Sequence, residues 1–428
     1  MTTEPLPRSA AAPLVARTVE IPDPGPLVDL LPGGPDDVCW VRRGEGLVGW
    51  GRAAQIRVEG ADRFARAQAW WRGLMAGAVV RDEVDLPGTG PVAFGSFAFD
   101  QTSARGGALV VPEVVVGRRG RRWWVTSVSP GGTSGAALPS PAALAPGRPP
   151  QSPVDVRYAD GALSAAQWES AVAVAVGRIA GGELDKVVLA RDLEARAAAP
   201  VDPRWLLQGL VARYPGTWVY GVDGLVGATP ELYCRLERGL VTSRVLAGTI
   251  RRTGDDAHDL ALAGSLARSS KDLEEHEYAA ASVAESLAPH CSSLNLPESP
   301  FVLHLPNVMH LATDIAGVVA DGSSALELAA ALHPSAAVCG TPTDVARQVI
   351  LDLEDMDRGR YAGPVGWIDA TGDGEWGIAL RCAEIDPTDG ARLRLFAGCG
   401  IVAGSEPEAE LAECDAKLVP MRDALAAT

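Results

Sequence analysis

Short apolar runs broken by glycine and proline fill the first third of the chain. Val38-Cys39-Trp40-Val41, Leu47-Val48-Gly49-Trp50, Ala93-Phe94-Gly95-Ser96-Phe97-Ala98-Phe99, Ala108-Leu109-Val110-Val111 and Trp123-Trp124-Val125-Thr126 are rich in β-branched and aromatic residues, which predicts strands. Only Arg63–Ala76 changes to a helical period there. Beyond residue 154 the two periods alternate. Trp168, Val172, Val176 and Ile179 recur at helical spacing behind the capping-box pair Ser164 and Gln167, and Gly181-Gly182 stops that helix. A strand follows over 184–191, with Leu184, Lys186, Val188 and Ala190 on one face, so Lys186 is expected to be partly desolvated. Then come hairpins over 218–245, a helical block over 258–287, strands at 301–305 and 310–315, and a helix at 324–332. Strands at 363–368, 374–385 and 393–397 and a terminal helix from about Ser405 complete the pattern. Mixed sheet and helix signals without a repeat period predict an α+β fold.

Punctuation and composition set the organisation. Residues 1–35, rich in Pro, Gly and Ala, are expected to form a loose arm. Residues 139–153, dense in Pro, Ala and Ser, are expected to form a linker or long loop. Residues 36–428 read as one domain, with 36–138 its less specific half and 154–428 its motif-bearing half. The 428 residues, 47% hydrophobic, supply ample core. A net charge of −16 argues against nucleic acid as partner and leaves no basic footprint for a membrane surface. Apolar runs such as 171–176 are too short to span a bilayer, and 1–16 has no continuous apolar stretch of a secretory signal. Seven cysteines, without CxxC spacing, read as thiols of a reducing compartment, so the expected location is the cytoplasm.

Lysine is nearly absent. It occurs only at 186, 271 and 417, and the remaining 35 of the 38 basic residues are arginine. Arginine stays charged, whereas a desolvated lysine can lose its proton and act as a base. Lys186, in the apolar run Gly181-Gly182-Glu183-Leu184-Asp185-Lys186-Val187-Val188-Leu189-Ala190-Arg191, is therefore the first functional candidate; the bland alternative is an edge lysine reaching to solvent. Glu406, Glu410, Glu413 and Lys417 form one stripe of the terminal helix, and Glu274, Glu275 and Glu277 cluster near Lys271 in the earlier one. Such stripes are usually solvated faces. Two carboxylates from different helices are also how Mg²⁺ is held. No lysine follows a glycine as in a P-loop, and no Cys/His set has zinc spacing. His310 and His333, beside apolar residues, read as core histidines, and Cys399 as a small buried residue.

In order along the chain, Lys186-Val187-Val188-Leu189-Ala190-Arg191, Gly227-Ala228-Thr229-Pro230-Glu231, Leu246-Ala247-Gly248-Thr249, Glu275-His276-Glu277 and His310-Leu311-Ala312-Thr313 resemble the chorismate-utilising enzymes. So do His333-Pro334, Gly363-Pro364-Val365-Gly366-Trp367, Gly374-Glu375-Trp376, Ile378-Ala379-Leu380-Arg381 and Gly398-Cys399-Gly400-Ile401-Val402. That family includes isochorismate synthases, salicylate synthases, anthranilate synthase large subunits and aminodeoxychorismate synthases. The motifs cover about residues 164–420, while the N-terminal half matches only in general character, as in Phe94-Gly95-Ser96-Phe97. The resemblance implies two large, mostly antiparallel sheets packed together, with helices outside and the active site between them. It implies that Lys186 is the general base activating water for attack at C2 of chorismate. Glu231 would be the general acid protonating the departing C4 hydroxyl. Glu275 and Glu413 match ligands of Mg²⁺. Arg381, Lys417 and the backbone at Gly248 and Gly398 match groups holding substrate carboxylates, with Thr249, Ala337 and Tyr361 also at the substrate.

Position 186 bears on the branch. Amine-transferring relatives lack a lysine there and draw ammonia from a glutaminase, so water is the expected nucleophile and no glutaminase subunit is expected. Aminodeoxychorismate synthases commonly carry lysine where Ala247 stands. Salicylate synthases tend to have threonine at the position of Ala337, whereas Ala337-Val338 resembles isochorismate synthases. The expectation is a Mg²⁺-dependent isochorismate synthase, an isomerase of menaquinone or siderophore biosynthesis. Tyr361 and Leu380 are residue types also found in salicylate-forming members, which leaves pyruvate elimination open as an alternative. A catalytically silent chorismate-binding subunit is the third reading.

Overall fold

In the computed structural model, which describes residues 13–131, 137–140 and 144–426, the predicted strands assemble into two sheets. The larger has thirteen strands. It starts at Arg157–Asp160 and runs through Lys186–Arg196, Arg392–Ile401, Cys382–Ile385, Leu225–Thr229 and Trp218–Val222. It continues through Val38–Arg42, Glu45–Trp50, Val114–Arg119, Arg122–Pro130 and Leu14–Ile21 to Val79–Asp82, with the short Gly340–Thr341 on Lys186–Arg196. The smaller, ten-stranded sheet runs from Cys291–Asn295 through Val308–Val319, Leu240–Arg251, Leu232–Glu237, Gly374–Ile378, Pro364–Asp369, Val92–Phe97 and Gly107–Val111 to Ala54–Val58. Phe301–His304 adds to it on Val308–Val319. All pairings are antiparallel except that of Leu14–Ile21 with Val79–Asp82.

Central strands are buried on both faces: Val92–Phe97, Trp218–Val222 and Leu225–Thr229 have no exposed position. Their sequences accordingly read as continuous apolar runs rather than as alternations. Strands from the two halves of the chain pair directly, Val38–Arg42 with Trp218–Val222 and Val92–Phe97 with Pro364–Asp369. Neither half could close its sheets alone.

Eight α-helices lie among the described residues: α1 (Arg63–Ala76), α2 (Ala165–Ala180), α3 (Pro203–Arg213), α4 (Asp256–Leu266), α5 (Ser270–Leu287), α6 (Ala325–Leu332), α7 (Thr343–Leu353) and α8 (Pro407–Leu425). The capping box of α2 forms as expected, the Ser164 hydroxyl accepting from the Gln167 amide and the Gln167 side chain from the Ser164 amide. The helical block over 258–287 is two helices, because the Ser269 side chain caps a new start by accepting from the Asp272 amide. No helix of the described residues is long and apolar enough to cross a membrane.

Three expectations need correction. The loose arm over 1–35 is, in its described part, built into the fold: Leu14–Ile21 pairs along its whole length with Arg122–Pro130, and Leu27, Val28, Leu30 and Leu31 are buried. Residues 1–12 lie outside the described residues. Gly374–Ile385 is not one strand: the chain leaves the smaller sheet after Ile378 and enters the larger at Cys382, with Arg381 in the left-handed region (φ 49°) at the crossing. The expected partial desolvation of Lys186 is complete, its side chain being 0% exposed. The alternation marks a face, and both faces of this strand are covered. The described part of 139–153 has neither strand nor α-helix, although Leu144 is buried and the Arg148 carbonyl accepts from Arg204.

Candidate active site

Two crossings between the sheets, strands of both sheets and the helices α5 and α8 converge on one pocket. The chain passes from Leu225–Thr229 in the larger sheet to Leu232–Glu237 in the smaller through Pro230-Glu231. Beside it runs the return crossing at Arg381, joined by the Ala228 amide donating to the Arg381 carbonyl and the Ile378 amide to the Glu231 carbonyl. The crossings bring an acid, Glu231, and a cation, Arg381, to the pocket, both buried.

Lys186 opens its strand in the larger sheet and touches the pocket's lining at Glu275. Its Nζ lies 3.2 Å from Glu275 Oε1 of α5. The pair fits because position 400 on the neighbouring strand is glycine: a Cβ there would stand 2.2 Å from Glu275 Oε1 and 2.9 Å from Lys186 Cε. On the same wall, α8 presents Glu413 and Lys417, with Lys417 Nζ 2.6 Å from Glu413 Oε1 and donating to the Gly398 carbonyl at 2.8 Å. A Cβ at Gly398 would lie 3.0 Å from the Tyr361 hydroxyl, and Tyr361 is stacked on Phe396.

Glu231 faces this group from the other side. Burial pushes its carboxyl up to about 7, against the Leu246 amide that donates to it at 3.4 Å and the charges of Lys186, Lys417 and Arg381. A carboxyl that keeps its proton near neutrality is suited to donate it. The wall beside Glu231 is completed by a bulge in Leu240–Arg251 at Gly248, where the register to Val308–Val319 shifts between Ala247 and Thr249. Gly248 has φ +75° and packs so close to Asp272 that a Cβ would come within 2.9 Å of it.

Arg381 is oriented by a residue the sequence reading left in the core. His310 is buried, but it lines the pocket and its Nε2 lies 3.1 Å from Arg381 Nη2, while Nδ1 meets Thr249 Oγ1 at 3.1 Å. Burial and the neighbouring charges of Arg381 and Lys417 hold its imidazole well below the ordinary histidine value. It is therefore neutral, accepts from the guanidinium at Nε2 and donates from Nδ1. The signal available in the sequence was its place in His310-Leu311-Ala312-Thr313. His333 does behave as a core histidine, donating to the Phe99 carbonyl and meeting the Tyr233 hydroxyl.

Glu231, Gly248, Thr249, Glu275, Ala337, Tyr361, Arg381, Gly398, Glu413 and Lys417 all line this pocket, and Lys186 meets it through Glu275. The free volume is about 60 Å³. Glu274 and Glu277 are exposed, so α5 contributes one carboxylate rather than a cluster, and Glu406 is an exposed cap residue. The Lys271 side chain lies outside the described residues. Cys399 is buried, its sulfur 3.7 Å from that of Cys414. Two larger cavities lie elsewhere, of about 650 Å³ beside α3 and about 320 Å³ lined by Trp40 and Trp218, and neither contains these groups.

The donor set fits a hard cation. Glu275 and Glu413 arrive from different helices on one wall. Burial raises the Glu413 carboxyl and Lys417 opposes this, while the charges of Glu410 and Glu275 raise it further. No group of three or more His, Cys, Asp or Glu converges among the described residues. Two carboxylates with the remaining positions left to water and substrate oxygens is the pattern of Mg²⁺.

Comparison with known proteins agrees with this architecture. The family model for chorismate binding enzymes matches residues 36–426. The chain is 42% identical over 270 residues to the isochorismate synthase DhbC of Bacillus subtilis, covering 60% of this chain and 67% of that protein. It is 35% identical over 400 residues to the salicylate biosynthesis isochorismate synthase of Pseudomonas aeruginosa, covering 88% and 82%. Among solved structures, MenF, the menaquinone-specific isochorismate synthase from Escherichia coli, superposes with a TM-score of 0.80 at 25% identity, over 97% of this chain and 96% of that one. Fold and sequence thus agree: the chain belongs to the chorismate binding enzyme family.

Proposed function

We propose that this protein is an isochorismate synthase, the isomerase that converts chorismate to isochorismate. The observation that carries the reading is a buried glutamate whose carboxyl is raised to about 7, lining a pocket whose Glu275 contacts a fully buried lysine: Glu231 at the crossing into the smaller sheet, and Lys186 from the larger. Arg381, Lys417 and the backbone about Gly248 and Gly398 hold the carboxylates of the dianionic substrate and so fix the ring between the two. Lys186 takes a proton from water as its oxygen bonds to C2. The ring double bond shifts as the C4–O bond breaks, and Glu231 gives its proton to the departing hydroxyl. One water enters and one leaves, so the product is an isomer. Tyr361, Ala337 and His310 shape and screen the site so that these charges act in a low-dielectric space. Glu275 and Glu413 would hold Mg²⁺, which neutralises substrate carboxylate charge when bound.

The test is incubation with chorismate and Mg²⁺, with products resolved by chromatography. Isochorismate as the sole product supports the reading. Salicylate and pyruvate in equal amounts would move the assignment to a salicylate synthase, a branch that the pocket positions of Tyr361 and Leu380 keep in view. Tight binding of chorismate without turnover would make the chain a binding subunit.

A further inference from the structure

The strand that carries Lys186 has a gap along its outer edge. Gly340–Thr341 pairs with Lys186 and Val187, and Arg157–Asp160 pairs with residues 193–196. Between them no strand of the described residues covers 188–191 on that edge, yet the outward backbone groups of Val188 and Ala190 are satisfied. The Val188 amide donates to the Cys339 carbonyl at 2.8 Å. Arg358 Nη2 donates to the Val188 carbonyl at 2.7 Å, and the Ala190 amide donates to Glu354 Oε1 at 2.7 Å. Trp168 Nε1 donates to the Ala190 carbonyl at 3.0 Å.

Glu354 and Arg358, one turn apart after α7, are 2% and 3% exposed and bonded to each other, Nε to Oε2 at 2.8 Å. Arg358 Nη1 also donates to the Val338 carbonyl at 3.0 Å, one residue beyond Ala337, and its guanidinium packs on the Phe99 ring. A single ion pair therefore bonds both the strand of the candidate base and the loop of Ala337. Neither residue was singled out by the sequence reading.

We propose that Glu354 and Arg358 are positioning residues for the reaction, standing in for a missing strand and fixing Lys186 relative to the Ala337 loop. A buried ion pair is a costly way to gain stability alone. Its planar, two-sided hydrogen bonding is what a strand edge requires, and lysine cannot reproduce the guanidinium fork. The assignment rests on the reading of Lys186 and Ala337 as site residues.

Three variants test it: Arg358→Lys, Glu354→Gln, and the charge-free double variant Glu354→Gln with Arg358→Gln. The expected result is a kcat lowered on the order of 100-fold with KM within about threefold, because reacting groups shift while the carboxylate anchors stay. Deuterium exchange should quicken in peptides covering 187–191 and 336–340 and not in the smaller sheet. The double variant, which leaves no unpaired charge, should regain thermal stability over the singles without regaining kcat. Wild-type kcat in any folded variant, or kcat that rises and falls with melting temperature across the three, would overturn the proposal. If the single variants do not fold, the double variant decides. A wild-type product other than isochorismate overturns the proposed function but leaves this inference to stand or fall on the same variant-to-wild-type ratios.

Discussion

Lys186 Nζ meets Glu275 Oε1 at 3.2 Å over the bare Cα of Gly400, at a point where any side chain would strike both. The lysine comes from the larger sheet, the glutamate from α5, and the glycine from the adjacent strand, in register with Val188. The candidate base and one candidate cation ligand are thus in contact, and each must change partners for the proposed chemistry to begin.

Replacement of Lys186 by Met, close in volume, should leave the fold intact and remove turnover by a factor on the order of 10² to 10⁴, the usual contribution of a general base. Arg at 186 should be equally inactive, since it stays protonated. Initial rates of isochorismate formation, alongside thermal melts, measure this. Wild-type rates in the Met variant would remove Lys186 from the mechanism.

Gly400→Ala inserts a methyl 2.2 Å from Glu275 Oε1. The pair must separate, so activity should drop at least tenfold while stability falls by about 1–3 kcal/mol, the common cost of overpacking. A variant with both unchanged would mean that the Lys186–Glu275 contact is dispensable.

Glu231 gives a pH dependence with a defined sign. Its folded value of about 7 lies above the ordinary 4.5, because burial disfavours the charged form. The stability associated with its proton is full below pH 4.5 and is lost as pH rises through 7. The whole penalty, on the order of 3 kcal/mol at 1.36 kcal/mol per unit, is present above that. Glu231→Gln should therefore be more stable than wild type at pH 8, no more stable at pH 4, and inactive at both. In the wild type, the acid-dependent limb of kcat/KM should decline above about pH 7. Denaturant melts at the two pH values and a pH–rate profile check both halves.

His310→Ala removes the acceptor that faces Arg381 Nη2. The guanidinium then holds the substrate carboxylate less well, which should raise KM about tenfold, the equivalent of one hydrogen bond to a charged group, with a smaller change in kcat. An effect confined to kcat would instead place His310 at the reacting atoms.

Chelation of divalent cations should abolish turnover, and Mg²⁺ should restore it. Glu275→Gln and Glu413→Gln should each need far higher Mg²⁺ for half-maximal rate, and the Mg²⁺-induced rise in the wild-type melting temperature should shrink in both. Metal-independent turnover by the wild type would refute the role given to the two carboxylates.

Much of this molecule is written locally. Ser164 and Gln167 start α2 through hydrogen bonds within three residues, so their pattern needs no tertiary context. The period of Arg63–Ala76 likewise sets its own helix. The scarcity of lysine singled out Lys186 from composition alone, and the carboxylate helices were visible as stripes.

Other features depend on what covers a segment, and no local pattern carries that. Period-two alternation marks a face of a strand but not the sheet it joins, so the change of sheet at Arg381 was read as one continuous strand. The loose arm was expected from Pro and Gly content, yet Leu14–Ile21 finds a partner in Arg122–Pro130 more than a hundred residues away. The other carboxylates of α5 and α8 differ from Glu275 and Glu413 only in which way the packed helices turn them. Sequence by itself determined the elements and nominated the chemistry. Tertiary structure decided burial, and with it the raised carboxyl of Glu231, the contact of Lys186 with Glu275 and the neutral His310 behind Arg381, because desolvation and charge proximity are properties of the assembled sheets and not of any one stretch of chain.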